Sequence, residues 1–195
     1  TEEKSSLTNV FFEKGDLDKF IPQKGDYFLI SGQITDAKGW HLVPQLLHLN
    51  ANNSLKFKFI IYRPETAQDF INKNELGEYI DNGKLEIISG LESHSDVLRI
   101  VANSLAIIIP SNYPSTGEFA LLEAMGLSKP VVAFDVGAHK NFLTNNYNAL
   151  ISAATDVTKM AKDLEIINEN DILWEKLSKN SRLTFEKMTS FENNH

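Results

Sequence analysis

Two loops of this chain carry residue types and spacings suited to holding an anion, and one helix carries a carboxylate in an unusual place. The segment Ser31-Gly32-Gln33-Ile34-Thr35-Asp36-Ala37-Lys38-Gly39 follows an apolar run and leads into a helical pattern. Gly32 permits a tight turn and Gly39 a close approach at the helix start. Lys38 falls where a point cation meets a phosphate held at a helix N-terminus, although a solvated loop lysine fits the segment too. The pattern Gly-x-x-x-x-Gly-Lys-Ser/Thr is absent, so this is not a P-loop. The second segment runs from Ile109-Pro110-Ser111 through Tyr113-Pro114-Ser115-Thr116-Gly117-Glu118-Phe119 to Gly126. Ser115 and Glu118 have the spacing of a capping box. The backbone N–H groups of Gly117, Glu118 and Phe119 are orphans at that helix start, available to an anion. Glu118 is therefore either a cap or a ligand contact. Glu123 is the only charge in Phe119–Leu127. Such a carboxylate must reach solvent or accept hydrogen bonds. It is either an exposed helix glutamate or an acceptor for a ribose diol, as acidic residues are in dinucleotide sites.

A third loop, Phe134-Asp135-Val136-Gly137-Ala138-His139-Lys140-Asn141, offers His139 as an acid or base, or as an ordinary loop histidine. Asp16-Leu17-Asp18 has the form of a metal-binding Asp-x-Asp, but it does not follow a core strand, and the metal reading is rejected. The histidines at 41, 48, 94, 139 and 195 make no metal-ligand spacing.

The elements that position these residues alternate along the chain. Residues 1–25 read as a linker ahead of a domain over 26–195. Tyr27–Gly32, Phe57–Tyr62, Lys84–Ser89, Leu105–Ile109 and Pro130–Phe134 are short apolar runs of the buried-strand type, with a shorter one at Ala149–Ile151. Helices are predicted after Trp40 (Trp40, Val43, Leu46 and Leu47 recur at helical spacing, with Pro44 tolerated in the first turn), over 65–80, 95–102, 116–127, 155–168 and 171–189. Strict β-α alternation implies a parallel sheet covered by helices on both faces. Ligands of such sheets sit outside the carboxyl ends of the strands. The informative loops are those after Ile30, Tyr62, Ile88, Ile109 and Phe134, and Arg63 opens the second of them.

Composition narrows the class. The chain has 195 residues, 42% hydrophobic and 23% charged, with a formal charge of −7. That length suits one good-sized domain, and the acidic balance argues against a nucleic-acid binder and against an anionic-membrane module. With no cysteine, disulfides and thiolate–zinc sites are excluded. No apolar run approaches a bilayer span, and Thr1-Glu-Glu-Lys-Ser-Ser is too polar for a signal peptide, so a cytoplasmic location is expected.

The ordered set of motifs resembles a family. Asp26-Tyr-Phe-Leu-Ile-Ser-Gly-Gln-Ile-Thr-Asp-Ala-Lys-Gly39 resembles the "F-L-x-x-G-R-x-x-x-x-K-G" opening of GT-B glycosyltransferase donor domains, specifically the large retaining family four. Ile107-Ile-Ile-Pro-Ser111 through Leu122-Glu-Ala-Met-Gly-Leu-Ser-Lys-Pro-Val-Val-Ala-Phe-Asp-Val-Gly137 is similar to "P-S … L-E-A-M-A-x-G-x-P-V-V-A-x-x-x-G-G", and Asn148-Ala-Leu-Ile151 to "N-G-L-L". Gly15-Asp-Leu-Asp-Lys-Phe-Ile-Pro22 is similar to the family's interdomain linker "N-G-V-D-x-x-x-F-x-P". The resemblance spans residues 13–190. It implies a Rossmann-like α/β domain, one half of a GT-B enzyme, that binds a nucleotide-diphospho-sugar. The full enzyme would transfer a hexose-type sugar, with retention and no required metal or cofactor, to a glycan or glycoconjugate acceptor, as in polysaccharide biosynthesis. The acceptor, and any membrane contact, would belong to an N-terminal domain outside this chain.

By the same resemblance Lys38 binds the donor diphosphate and, with Glu118, is the catalytic assignment. Gly32, Gln33, Arg63, Ser115, Thr116, Gly117, Glu118, Phe119 and Glu123 complete the donor site, Glu123 holding the ribose hydroxyls. Two positions depart from the family. Its Arg, five residues before the Lys, is Gln33 here, and the first Glu of its Glu–seven residues–Glu signature is Ser115. Arg63 is the candidate for the lost positive charge, and Thr116 or Glu118 for the lost carboxylate contact. The alternatives are a degenerate, non-catalytic nucleotide-sugar-binding protein and a nucleotide-sugar epimerase of the same architecture.

Overall fold

The computed structural model describes residues 17–113, 119–137 and 139–192. Strands β1 (Tyr27–Gly32), β2 (Lys56–Ile61), β3 (Leu85–Ile88), β4 (Ala106–Ile109), β5 (Val131–Phe134) and β6 (Ala149–Ser152) form one sheet in the order β3-β2-β1-β4-β5-β6. Every pairing is parallel, with Tyr27 opposite Lys56, Phe28 opposite Ala106, and Ile107 opposite Val131. A strand buried on both faces must be apolar at consecutive positions, and β4 and β5 are buried throughout.

Alternate residues feed two cores. Phe28, Ile30, Phe59, Ile108, Val132 and Phe134 point into one. Helices α1 (Val43–Leu49, entered through a 3-10 turn at Trp40–Leu42), α2 (Pro64–Lys73) and α7 (Val157–Glu169) cover that face. Trp40 packs edge-on against Phe59 and Phe70, with ring centroids 5.5 and 5.3 Å apart. Leu29, Ile107, Ile109, Val131 and Ala133 point the other way, under α4 (His94–Ala102), α5 (Phe119–Gly126) and the long α8 (Asp171–Glu192). Leu17, ahead of β1, is 1% exposed and belongs to this second core. The α/β architecture with helices on both faces is therefore as expected.

Two elements differ from expectation. The single helix predicted over 65–80 is two, α2 and α3 (Gly77–Asp81), broken at Glu75, whose φ is +54°. Ala67 and Phe70 face the core from α2, and in a straight helix Leu76 would point away from them. The break turns Leu76 inward, where it is 1% exposed. A short helix, α6 (His139–Phe142), was not anticipated, because four residues carry too little periodicity to register.

Candidate functional site

All strands run the same way, so the loops after β1 to β5 emerge at one edge of the sheet. The chain order reverses between β1 and β4, and at such a switch point the two flanking loops diverge and leave a crevice. Backbone contacts hold these loops. Gly32 leaves β1 with φ +148°, a conformation that L side chains rarely adopt. The following loop closes a turn through Lys38 N, which donates to Thr35 O at 3.2 Å, and Gly39 N, which donates to Asp36 O at 2.9 Å. Gly39 has φ +71°, and a Cβ there would lie 1.8 Å from the Pro110 carbonyl oxygen. Asn112 N donates to Ala37 O at 3.4 Å. The loop bearing Lys38 is thus seated against the start of the loop after β4, and Lys38 itself is half-buried.

Gln33 and Arg63 share a cleft. With Ile34, Thr35, Ile61 and Thr66 they line a cleft of about 80 Å³ at the carboxyl ends of β1 and β2. The side chain that departs from the family pattern and the one nominated to replace its charge therefore share one cleft.

Glu123 corrects one reading of the sequence. It is not an exposed helix glutamate: the residue is 4% exposed, and its Oε1 lies 2.8 Å from His94 Nε2. His94 opens α4 just after Ser93, whose hydroxyl accepts from Asp96 N at 3.2 Å and caps that helix. Helices α4 and α5 lie side by side on one face of the sheet. This brings the first residue of α4 to the middle of α5. Beside the pair opens a pocket of about 290 Å³, lined by Tyr62, Ser89, Gly90, Leu91, Glu92 and His94 among others. Tyr62 Oη lies 3.2 Å from Ser31 Oγ, bridging the ends of β1 and β2. Burial raises the Tyr62 phenol above its ordinary value, the Ser31 hydrogen bond lowers it in part, and the Glu123 charge raises it further. Tyr62 is thus held neutral, as a hydrogen-bonding aromatic wall.

Sequence reasoning missed His94 and Tyr62. The signal for His94 was the lone carboxylate itself, because a buried Glu123 requires a donor from a neighbouring helix. His139 is buried, with Nδ1 2.9 Å from Phe134 O, which ties it to the end of β5. Asp18 pairs with Arg182 Nη2 at 2.8 Å. Among the described residues no three His, Asp or Glu side chains gather as a metal site. Phe119 opens α5 and is half-exposed, whereas Ser115, Thr116, Gly117 and Glu118, with the predicted capping box, lie outside the described residues.

A parallel sheet whose order reverses between β1 and β4, with its polar loops and a buried carboxylate at the carboxyl edge, defines a Rossmann-like domain of the kind that makes up half of a GT-B enzyme. Known proteins make the same assignment more specific. The chain belongs to the glycosyl transferases group 1 family, whose sequence profile matches residues 13–184. It is 28% identical over 181 residues to the uncharacterized glycosyltransferase MJ1178 of Methanocaldococcus jannaschii, covering 89% of this chain and 47% of that protein. The chain thus spans about half the length of this curated relative. Among solved structures, the fold is similar to the C-terminal domain of the group 1 glycosyl transferase LpcC from Francisella tularensis, with a TM-score of 0.70, 17% identity, and 92% and 93% of the two chains covered. It is also similar to sucrose-phosphate synthase from Thermosynechococcus elongatus (TM-score 0.73, 16% identity, 88% and 46% covered). HepE of Anabaena, solved with UDP-glucose, matches with a TM-score of 0.71 at 15% identity, over 93% and 51% of the chains.

Proposed function

We propose that this chain is the donor-binding half of a retaining, family four-like glycosyltransferase, holding a nucleotide-diphospho-sugar across the carboxyl ends of β1, β2 and β4. The observation that carries the reading is Glu123. A carboxylate 4% exposed on an otherwise apolar helix, with one hydrogen-bonding side chain beside it, is suited to accept from a ribose diol. Lys38 meets the diphosphate from the loop after β1, and Arg63 adds a second cation from the end of β2. Their charge stabilises the negative charge that grows on the leaving diphosphate as the bond to the anomeric carbon breaks. In this scheme no metal ion is needed, and Glu118 with its neighbours Ser115, Thr116 and Gly117 completes the sugar and phosphate contacts. The acceptor, a glycan or glycoconjugate, is bound outside this chain, so the chain alone binds a hexose-type donor without transferring it.

Titration calorimetry with uridine, guanosine and adenosine diphosphates tests the reading, and the absence of binding to all three at millimolar concentration overturns it. In Glu123→Ala, binding should fall by about 1.5–3 kcal/mol, the range for a charged hydrogen bond. Stability should be unchanged or slightly higher, because His94 is half-exposed and regains water when its partner is lost. Gln33 favours a second reading, a nucleotide-sugar-binding protein without turnover. The full-length protein given donor and acceptor separates the two: transfer supports the enzyme, and tight donor binding without transfer or epimerisation supports the binding protein.

A further inference from the structure

The carboxylate at the centre of the proposed site is held by a side chain outside that site's expected residues. The Glu123 side chain is 5% exposed and that of His94 50% exposed. A carboxylate accepts, so Nε2 is the ring nitrogen that carries the hydrogen in their 2.8 Å contact. Glu123 Oε2 takes no hydrogen bond from any described residue. A carboxylate has about four acceptor positions, so a single ring N–H leaves most of that capacity to water or a ligand. The start of α4 is held by bonds of its own. Ser93 Oγ donates to Asp96 Oδ2 at 2.7 Å, and Arg99 Nη1 donates to Asp96 Oδ1 at 3.0 Å. Together with the Ser93 cap, these bonds fix the first turn of α4 and aim its first side chain. A half-exposed imidazole gives up side-chain freedom to stay on its partner. The 2.8 Å contact with Glu123 offsets that cost.

We propose that His94 is a positioning residue for the ribose-binding carboxylate: by holding Oε1 it orients Glu123 so that Oε2 accepts from the hydroxyls of a bound nucleotide. The inference rests on the donor reading above. It separates His94 from the residues that touch the nucleotide. His94 acts through Glu123, and its loss is felt where the ribose hydroxyls are read.

The test compares uridine, guanosine and adenosine diphosphates with their 2′,3′-dideoxy counterparts, which lack the hydroxyls. Dissociation constants are measured for wild type, His94→Ala, His94→Gln, Glu123→Ala and the double variant His94→Ala/Glu123→Ala. Wild type should prefer the ribonucleotide by about tenfold or more, the size expected for one charged hydrogen bond. His94→Ala should lose most of that preference while binding the dideoxy analogue as wild type does. His94→Gln, whose amide nitrogen reaches about as far as Nε2, should regain it. In the Glu123→Ala background, removing His94 should change nothing further. Retention of the full preference by His94→Ala overturns the proposal. So does an equal loss of affinity for both analogues, which would mean direct contact with the nucleotide, and so does failure of His94→Gln to rescue a folded protein. The donor reading fails separately: a wild type that binds both analogues alike removes the ribose role of Glu123 and the proposal with it.

Discussion

Lys38 is the residue whose removal bears most directly on the diphosphate. Lys38→Ala should weaken nucleoside diphosphate binding by about 1.5–3 kcal/mol, the range for hydrogen bonds to charged groups. Its side chain is half-buried, but its loop is held by backbone contacts at Thr35, Asp36 and Pro110 that alanine leaves in place. The melting temperature should therefore stay within error in calorimetry, and unchanged affinity with a lower melting temperature would make Lys38 structural. Gln33 allows the complementary experiment. Because Gln33 and Arg63 line one small cleft, Gln33→Arg should tighten diphosphate binding if that cleft receives phosphate oxygens. The gain should shrink as salt is raised from about 0.05 to 0.5 M, since exposed charges are screened. Arg63→Ala should then cost more in the natural Gln33 background than in the Gln33→Arg background. Only in the former is Arg63 the one cation among the described residues that line the cleft. Additive effects in this double-mutant cycle would show that the two side chains serve different ligand atoms.

At the scale of elements, much of the arrangement was legible because it rests on periodicity. The apolar runs at Phe57–Tyr62, Leu105–Ile109 and Pro130–Phe134 became strands within a residue or two, and strict alternation with helices required the parallel sheet. The break in the helix predicted over 65–80 had local signals in Asn74, a residue that favours caps, and in Gly77, but the apolar pattern runs across both and masks them. The structure ends α2 with Asn74 Nδ2 donating to Phe70 O at 2.8 Å and turns at Glu75 to bury Leu76. The site was legible in part. Lys38, Gly39 and Glu123 stand out through local chemistry, a cation after a glycine-bearing turn and a charge in an apolar helix. The contact of Glu123 with His94, 29 residues earlier, depends on two helices packing side by side, and a pass along the chain does not contain that distance. Gly39 shows how an element carries the site. Its positive φ and the 1.8 Å approach of Pro110 O to an added Cβ both exclude a side chain. Gly39→Ala should destabilise the domain by about 2–4 kcal/mol, combining left-handed strain with overpacking. It should also weaken nucleotide binding, because the loop bearing Lys38 must lift away from the loop after β4. Urea denaturation reads the first effect and calorimetry the second. A loss below about 0.5 kcal/mol, ordinary for a surface substitution, would mean that the two loops do not need their close contact.

For the molecule as a whole, the edge of the sheet opposite the site holds a buried cation whose hydrogen-bond acceptors are both neutral carbonyls, with a consequence for stability. Lys129, just before β5, is 0% exposed. Its Nζ donates to Ser104 O at 2.8 Å and to Gln23 O, and it lies 5.9 Å from the centre of the Trp174 ring. The segment ahead of β1 is held in this way to the turn between α4 and β4: Gln23 N donates to Ala102 O at 3.2 Å and Gly25 N to Ser104 O at 3.3 Å. Neither hydrogen-bond acceptor of Lys129 is a carboxylate, and burial pushes its ammonium down to about 7 from the ordinary 10.5. Between those two values the unfolded chain binds more protons than the folded one, so stability rises with pH across that window. Below about 7 both states carry the proton and the contribution is level. Lys84, also lowered by burial, acts with the same sign. Tyr27 acts oppositely and later. Burial first, and then the Asp26 and Glu86 charges, push its phenol up to about 12, so the unfolded chain ionises first and stability falls as pH passes from 10 to 12. The unfolding free energy, measured in urea, should therefore climb by about 2–3 kcal/mol from pH 7 to 9.5 and turn down above pH 10. Lys129→Met keeps the volume and removes the titration. Its curve should be nearly flat from pH 7 to 9.5, apart from the smaller Lys84 contribution, while the fall above pH 10 remains. A wild-type curve as flat as that of the methionine variant would mean that Lys129 keeps its proton in the folded chain.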